Sequence, residues 1–132
     1  MPAYNFMKQF APLIENGVKT TTIRKRRKRP TRPGDTLYLY TGMRTKDCRK
    51  LLETECVAVL PITINRTPQD DEMIVLDGAP MVGWEIDALV HDDVGDLLSI
   101  SEFVDFFDDH YGLPFDGVWI TWNPRYRSIE GE

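Results

Sequence analysis

Apolar residues along this chain change period several times, and each change marks an expected element. Phe6, Phe10, Leu13 and Ile14 recur at i, i+4, i+7 and i+8, one face of an amphipathic helix. Gly17 stands where a left-handed C-terminal residue ends such a helix. The β-branched run Thr20-Thr21-Thr22-Ile23 then predicts a strand over 18–24. Strict alternation puts Lys19, Thr21 and Ile23 on one face and Val18, Thr20, Thr22 and Arg24 on the other. Bringing Lys19 to Thr22 therefore needs a bulge, or projection past a strand end.

Residues 36–41 predict a second strand, with Leu37 and Leu39 on one face and Tyr38 and Tyr40 on the other. The longest β-type run is 51–65, where Pro61 predicts either a break into two strands or an edge kink. Residues 73–76 read as a short strand, and 81–90, with Trp84, Ile86 and Leu89, as a strand passing into a turn. Ser99 and Glu102 form a capping box ahead of a helical stripe of Ile100, Phe103, Val104, Phe107 and Tyr111, which Gly112 ends. A final strand runs over 118–122, Pro124 closes it, and 125–132 read as a frayed C-terminal tail. Two helices flanking about six short strands predict an α+β fold built on a mostly antiparallel, barrel-like sheet. Residues 1–124 are expected to form a single domain.

Charge changes this picture. The chain of 132 residues carries −5 overall, yet twelve of its sixteen Lys and Arg lie between Lys19 and Lys50, against only Asp35 and Asp47. That third is therefore +10, whereas 67–124 holds fourteen acids and no Lys or Arg. A ligand responds to the local field, so an acidic total does not exclude a polyanionic partner. Six like charges from Arg24 to Arg29, followed by Pro30 and Pro33, predict a mobile loop that becomes ordered against an anion. The phosphate contacts are expected from Arg24, Lys25, Arg26, Arg27, Lys28, Arg29 and Arg32, joined by Arg44 and Lys46 from the basic loop over 42–50. Tyr38, Tyr40, Trp84, Trp119 and Trp122 are available as base-stacking surfaces, with one or two expected to line a pocket.

Other chemistry is sparse. No run of about 18 apolar residues exists to span a bilayer, and the first residues lack a secretory pattern, so a cytoplasmic protein without a membrane partner is expected. Cys48 and Cys56 are too few for a disulfide framework and lack the histidines of a zinc site. His91 beside Asp92 and Asp93 is a weak metal pattern, and His110 in the last helical turn suits a capping role. No metal and no cofactor are expected. What remains is a Lys-Thr-carboxylate set, in which a desolvated Lys19 acts as base, a Thr hydroxyl as nucleophile and a carboxylate as proton carrier.

The order of these features resembles the ASCH domain family, a branch of the PUA-like β-barrels found in phage and bacterial genomes. The resemblance rests on Gly17-Val18-Lys19-Thr20-Thr21-Thr22-Ile23-Arg24, on Pro33-Gly34-Asp35-Thr36-Leu37, on Tyr40-Thr41-Gly42 with Arg44-Thr45-Lys46, and on the capped helix before the last strand. It implies a PUA-like barrel of about six strands with two flanking helices, and a cleft that binds RNA or nucleotides. It also implies two alternatives: an amidohydrolase that converts acetylcytidine to cytidine, or a ribonuclease. In the amidohydrolase branch the catalytic Lys and Thr fall on Lys19 and Thr22. The acid lies just before the last helix, which brings it to Asp96, with Asp93 the nearest competitor. This chain departs from that branch in having Asp for Glu and in its basic expansions over 25–32 and 42–50. A non-catalytic domain that docks a protein partner is the third reading.

Overall fold

The computed structural model describes residues 2–126 and is an α+β fold of two sheets and three α-helices. The first sheet has the order β1-β3-β4: β1 (Ala3–Phe6) runs parallel to β3 (Thr36–Thr41), and β4 (Arg49–Glu55) is antiparallel to β3. The second has the order β2-β8-β5-β6-β7 and is antiparallel throughout, comprising β2 (Thr21–Arg24), β5 (Ala58–Arg66), β6 (Glu72–Leu76), β7 (Ala79–Pro80) and β8 (Phe115–Thr121). The helices are α1 (Ala11–Glu15), α2 (Gly83–Val94) and α3 (Ile100–Tyr111). Among the described residues no helix is long and apolar enough to cross a membrane.

The expected first helix is replaced by three shorter pieces. Phe6 ends β1, Lys8–Phe10 is a 3-10 turn, and only Ala11–Glu15 is α-helical. Pro12 explains the late start, since it has no N–H and its ring clashes with a helical carbonyl four residues earlier. Phe6, Phe10 and Ile14 are all buried as their spacing suggested, but strand, turn and helix share the work.

The expected strand over 81–90 is also corrected, because this stretch lies mostly in α2. Ile86, Leu89, Val90, Asp93 and Val94 form its buried face, at i, i+3, i+4, i+7 and i+8. Trp84, which suggested alternation with Ile86, is 73% exposed. The apolar run over 51–65 breaks at Cys56-Val57 and not at Pro61. There the backbone changes sheets: Cys56 N–H donates to Asp35 O at 2.8 Å, and Val57 N–H to Thr121 O at 2.8 Å. Pro61 sits inside β5 just beyond the register that β6 pairs, where its carbonyl accepts from Asp77 N–H at 2.8 Å.

α3 matches its sequence signals closely. Ser99 Oγ accepts from Glu102 N–H at 3.1 Å, the Glu102 carboxylate accepts from Ser99 N–H at 2.9 Å, and Gly112 follows at φ 80°. Arg66, at the end of β5, holds this helix on the sheet by donating to Asp105 Oδ1 at 2.6 Å and Ser101 O at 3.2 Å. The start of the expected tail is docked: Arg125 and Tyr126 both bond Asp92, and Tyr126 packs edge-on against Trp119. Residues 127–132 lie outside the described residues.

β2 and β8 approach unusually closely at Gly117, where a Cβ would lie 2.3 Å from Arg24 O and 2.8 Å from the Phe115 ring. Gly117→Ala is expected to destabilise the fold by about 1–3 kcal/mol through overpacking. Gly83→Ala, with nothing within 4 Å of its Cβ position, is the control and should stay within about 0.5 kcal/mol. Urea unfolding of both variants checks the difference.

Candidate functional site

Lys19 reaches its position through the connection between α1 and β2. Gly17 ends the helix at φ 82°, and Asn16 Oδ1 accepts from Val18 N–H at 3.1 Å. Lys19 N–H then donates to Leu13 O and Thr20 N–H to Asp92 O, each at 2.9 Å. The segment is thus sewn to the end of α1 on one side and to α2 on the other. β2 begins only at Thr21, so Lys19 stands before the strand and escapes its alternation. This is the projection past a strand end that lets Lys19 and Thr22 line one cavity.

Asp93 meets Lys19 from the last turn of α2. The Lys19 ammonium is 4% exposed and donates to Asp93 Oδ1 at 3.1 Å and to the Asp93 carbonyl at 2.7 Å. Thr21 Oγ1 donates to the same Oδ1 at 2.9 Å. Nζ also lies 5.4 Å and 5.5 Å from the ring centroids of Phe6 and Phe10, within cation–π range. Burial pulls the Lys19 ammonium below the ordinary lysine range. Asp93 opposes that shift by charge and hydrogen bonding, and the nearby Arg24 charge reinforces it.

Thr22 and Arg24 complete the polar side. Arg24 Nε donates to Thr22 Oγ1 at 2.9 Å, and Nη2 donates to Asn5 O at 2.7 Å. As an acceptor in that bond, the Thr22 hydroxyl keeps its own proton to donate. The Arg24 guanidinium packs over Phe6 and Tyr4, with centroid distances of 4.7 Å and 5.1 Å, and burial lowers its pKa as well. The cavity beside these groups is about 240 Å³. A cavity of roughly 150 Å³ holds benzene, so a single ring system fits.

The structure revises several site expectations. The carboxylate beside Lys19 is Asp93, whereas the Asp96 side chain is fully exposed and lies 3.7 Å from His91 Nδ1. The reason is helical: Asp93 lies on the buried face of α2, while Asp96 follows Gly95, outside the helix. His91, Asp92 and Asp93 diverge, turning to Asp96, to Arg125 with Tyr126, and to Lys19 respectively. None of Tyr38, Tyr40, Trp84, Trp119 and Trp122 lines the cavity. Its aromatic walls are Phe6, Phe10, Phe103, Phe106, Phe107 and Tyr111. His110 Nδ1–H donates to Phe106 O, 2.8 Å away, as a cap would, and the ring stacks on Phe106 at the same wall.

The basic residues are divided among three places. Arg24 enters the cavity, and Lys25 Nζ lies 5.1 Å over the ring of Tyr111 at its wall. Lys25, Arg26, Arg27 and Lys28 border a second cavity, while Arg29 and Arg32 are exposed beyond it. The loop is anchored and not free: Arg27 donates to Ala3 O at 2.8 Å and stacks 3.8 Å over Tyr4. Arg44 and Lys46 are exposed on a loop that Met43 N–H ties to Asn5 Oδ1 at 2.9 Å, so it adjoins the cavity rim.

Thr21, Asn5 and the phenylalanine walls were not singled out from the sequence. The phenylalanines carried a signal as a helical stripe, which reads equally as core. Comparison with protein-family models, with curated proteins and with solved structures returns no match.

Removing Asp93 leaves a buried ammonium uncompensated, so Asp93→Ala is expected to cost about 3–5 kcal/mol. Asp96→Ala is expected to change stability by less than about 0.5 kcal/mol. Denaturant titration of both checks the assignment. The lowered Lys19 pKa carries its own sign: between the folded value and the unfolded value of 10.5, the unfolded chain binds more protons. Stability from this group therefore rises with pH across that window. Lys19→Met should remove that rise, so that the unfolding free energy difference between wild type and variant changes with pH across the window.

Proposed function

We propose that this chain is an ASCH-type, PUA-like domain whose cleft binds a nucleotide or a base of RNA. The observation that carries the reading is Arg24: it lines the aromatic-walled cavity beside Lys19 and Thr22, and it is also the first residue of the basic run. Aromatic faces suit a nucleobase, since every base has a π-face to stack. Buried donors and acceptors then select among bases, because an unmatched polar group in such a cavity goes unpaired at a cost. The neighbouring cations favour a ligand with phosphate attached. The two sheets, wrapped about one apolar core with α2 and α3 beside the cleft, are compatible with an opened PUA-like barrel.

Binding of single-stranded RNA, duplexes and mononucleotides at low salt tests this reading. Affinity should fall as salt rises, and Arg24→Gln should weaken it on the order of tenfold or more, the worth of a charged hydrogen bond. Absence of binding by every ligand would remove the proposal.

The Lys19–Asp93 pair favours a second reading, hydrolysis of an acylated cytidine. Transfer of one proton from Lys19 to Asp93 creates a neutral amine base and a carboxylic acid together. The amine takes the Thr22 proton, Thr22 Oγ attacks the acyl carbon, and the acid protonates the departing amino nitrogen. Arg24 at Thr22 Oγ1 stabilises negative charge as it develops there. Water then releases acetate from Thr22. Asp93 takes the role that the resemblance gave to Asp96. With acetylcytidine as substrate, Thr22→Val and Asp93→Asn should each lower turnover by about 100-fold or more, while Asp96→Ala should retain it. Equal turnover in wild type and Thr22→Val would dismiss the hydrolase.

A further inference from the structure

The loop that follows β2 encloses a cavity of its own. It measures about 320 Å³ and is bordered by Lys25, Arg26, Arg27 and Lys28, with Tyr4 and Thr31 beneath them. No carboxylate lines it. Several cations outside the loop pair with acids: Arg49 with Glu15, Lys50 with Glu53, Arg66 with Asp105 and Arg125 with Asp92. Among the described residues the four cations of the loop meet none.

The floor beneath those charges is built. Tyr4 is 1% exposed, and its hydroxyl shares a 2.5 Å hydrogen bond with the buried Thr31 Oγ1. The Tyr4 ring carries a guanidinium from each of two arginines, Arg27 at 3.8 Å and Arg24 at 5.1 Å. Arg27 is fixed further by Ala3 O. Holding like charges together in a set geometry is unfavourable unless an anion offsets it, and a prearranged cluster spares the ordering entropy when that anion arrives. Arg27 and Lys25 are held in this way by ring and backbone contacts, with Arg26 and Lys28 exposed beside them.

The loop cavity and the aromatic cleft are neighbours along two strands at once. Arg24 lines the cleft and Lys25 the loop cavity; Phe6 lines the cleft and Tyr4 the loop cavity. Lys25 joins them directly, because its Nζ stands over Tyr111 of the cleft wall. We infer that the loop cavity is a preformed phosphate subsite, so that the ligand of the cleft is a phosphorylated nucleotide or a strand rather than a free nucleoside. The inference rests on the nucleotide-binding reading of the cleft and specifies its ligand. Under the hydrolytic reading it makes the substrate an acylated nucleotide or nucleic acid.

Calorimetric titration with the four common ribonucleosides, their 5′- and 3′-monophosphates and a mixed-sequence RNA heptamer tests it. A phosphate-bearing ligand is expected to bind at least about tenfold tighter than its nucleoside. The 5′-monophosphate, 3′-monophosphate and heptamer arms report whether a monoester or a diester fills the subsite. In Arg26→Gln/Lys28→Gln, whose two sites are exposed, the advantage should fall at least about threefold while any nucleoside affinity stays within about twofold. The Thr31 amide resonance should shift with phosphate-bearing ligands and stay still with nucleosides. A nucleoside that binds as tightly as its phosphates overturns the subsite and leaves the cleft reading standing. So does a phosphate advantage that survives the double substitution in full. Failure of every ligand to bind overturns both.

Discussion

The buried Lys19–Asp93 pair is the constraint on which the rest of this structure depends. Taking both charges out of water costs several kcal/mol per ion, and the mutual attraction offsets that only when the remaining donors and acceptors are satisfied. Here they are drawn from three elements. The Asp93 carbonyl and Oδ1 receive the ammonium, Thr21 supplies a second donor to Oδ1, and the rings of Phe6 and Phe10 flank Nζ. An apolar pair of similar volume would hold α2 against β2 at least as well. Fastening α2 to β2 therefore does not require an ion pair, although this one performs that task.

Its position follows from backbone accounting. The segment between α1 and β2 has no strand partner until Thr21, so its amides bond elsewhere, to Leu13 O and Asp92 O. The first ties the segment to α1, and the second ties it to α2 one residue before Asp93. The order of dependence runs from Gly17, which turns the chain, through the two amides, to the ammonium and its carboxylate.

That same dependence explains what the sequence made legible. The capped helix Ile100–Tyr111 and the strand Thr36–Thr41 were readable because local signals and burial agree there: a serine cap, a clean stripe, an alternation of buried leucines. α2 was not, because its buried face includes Asp93, a charge where the pattern needs an apolar residue, and its exposed face includes Trp84. A buried carboxylate in a core position interrupts the periodicity that would reveal its helix. The register of the acid suffered for the same reason. Anchoring on α3 gave Asp96, three residues past the one that the helix turns inward. Pro12 was a legible stop for an upstream helix, but the spacing of Phe6, Phe10, Leu13 and Ile14 outweighed it, and burial alone cannot distinguish one helix from a strand, a turn and a short helix. Lys19 and Thr22 were identified by resemblance, and their meeting in one cavity depended on where β2 starts, a long-range matter that alternation cannot decide.

Arg24 is where the two halves of the charge argument join. An arginine fork can serve several acceptors in one plane, and here one edge serves Thr22 Oγ1 and the Asn5 carbonyl while the flat face lies on Tyr4 and Phe6. Tyr4 in turn carries Arg27. The aromatic cleft and the basic loop are therefore not independent features that happen to adjoin. Arg27 of the loop and Arg24, whose guanidinium meets Thr22, share the one ring of Tyr4.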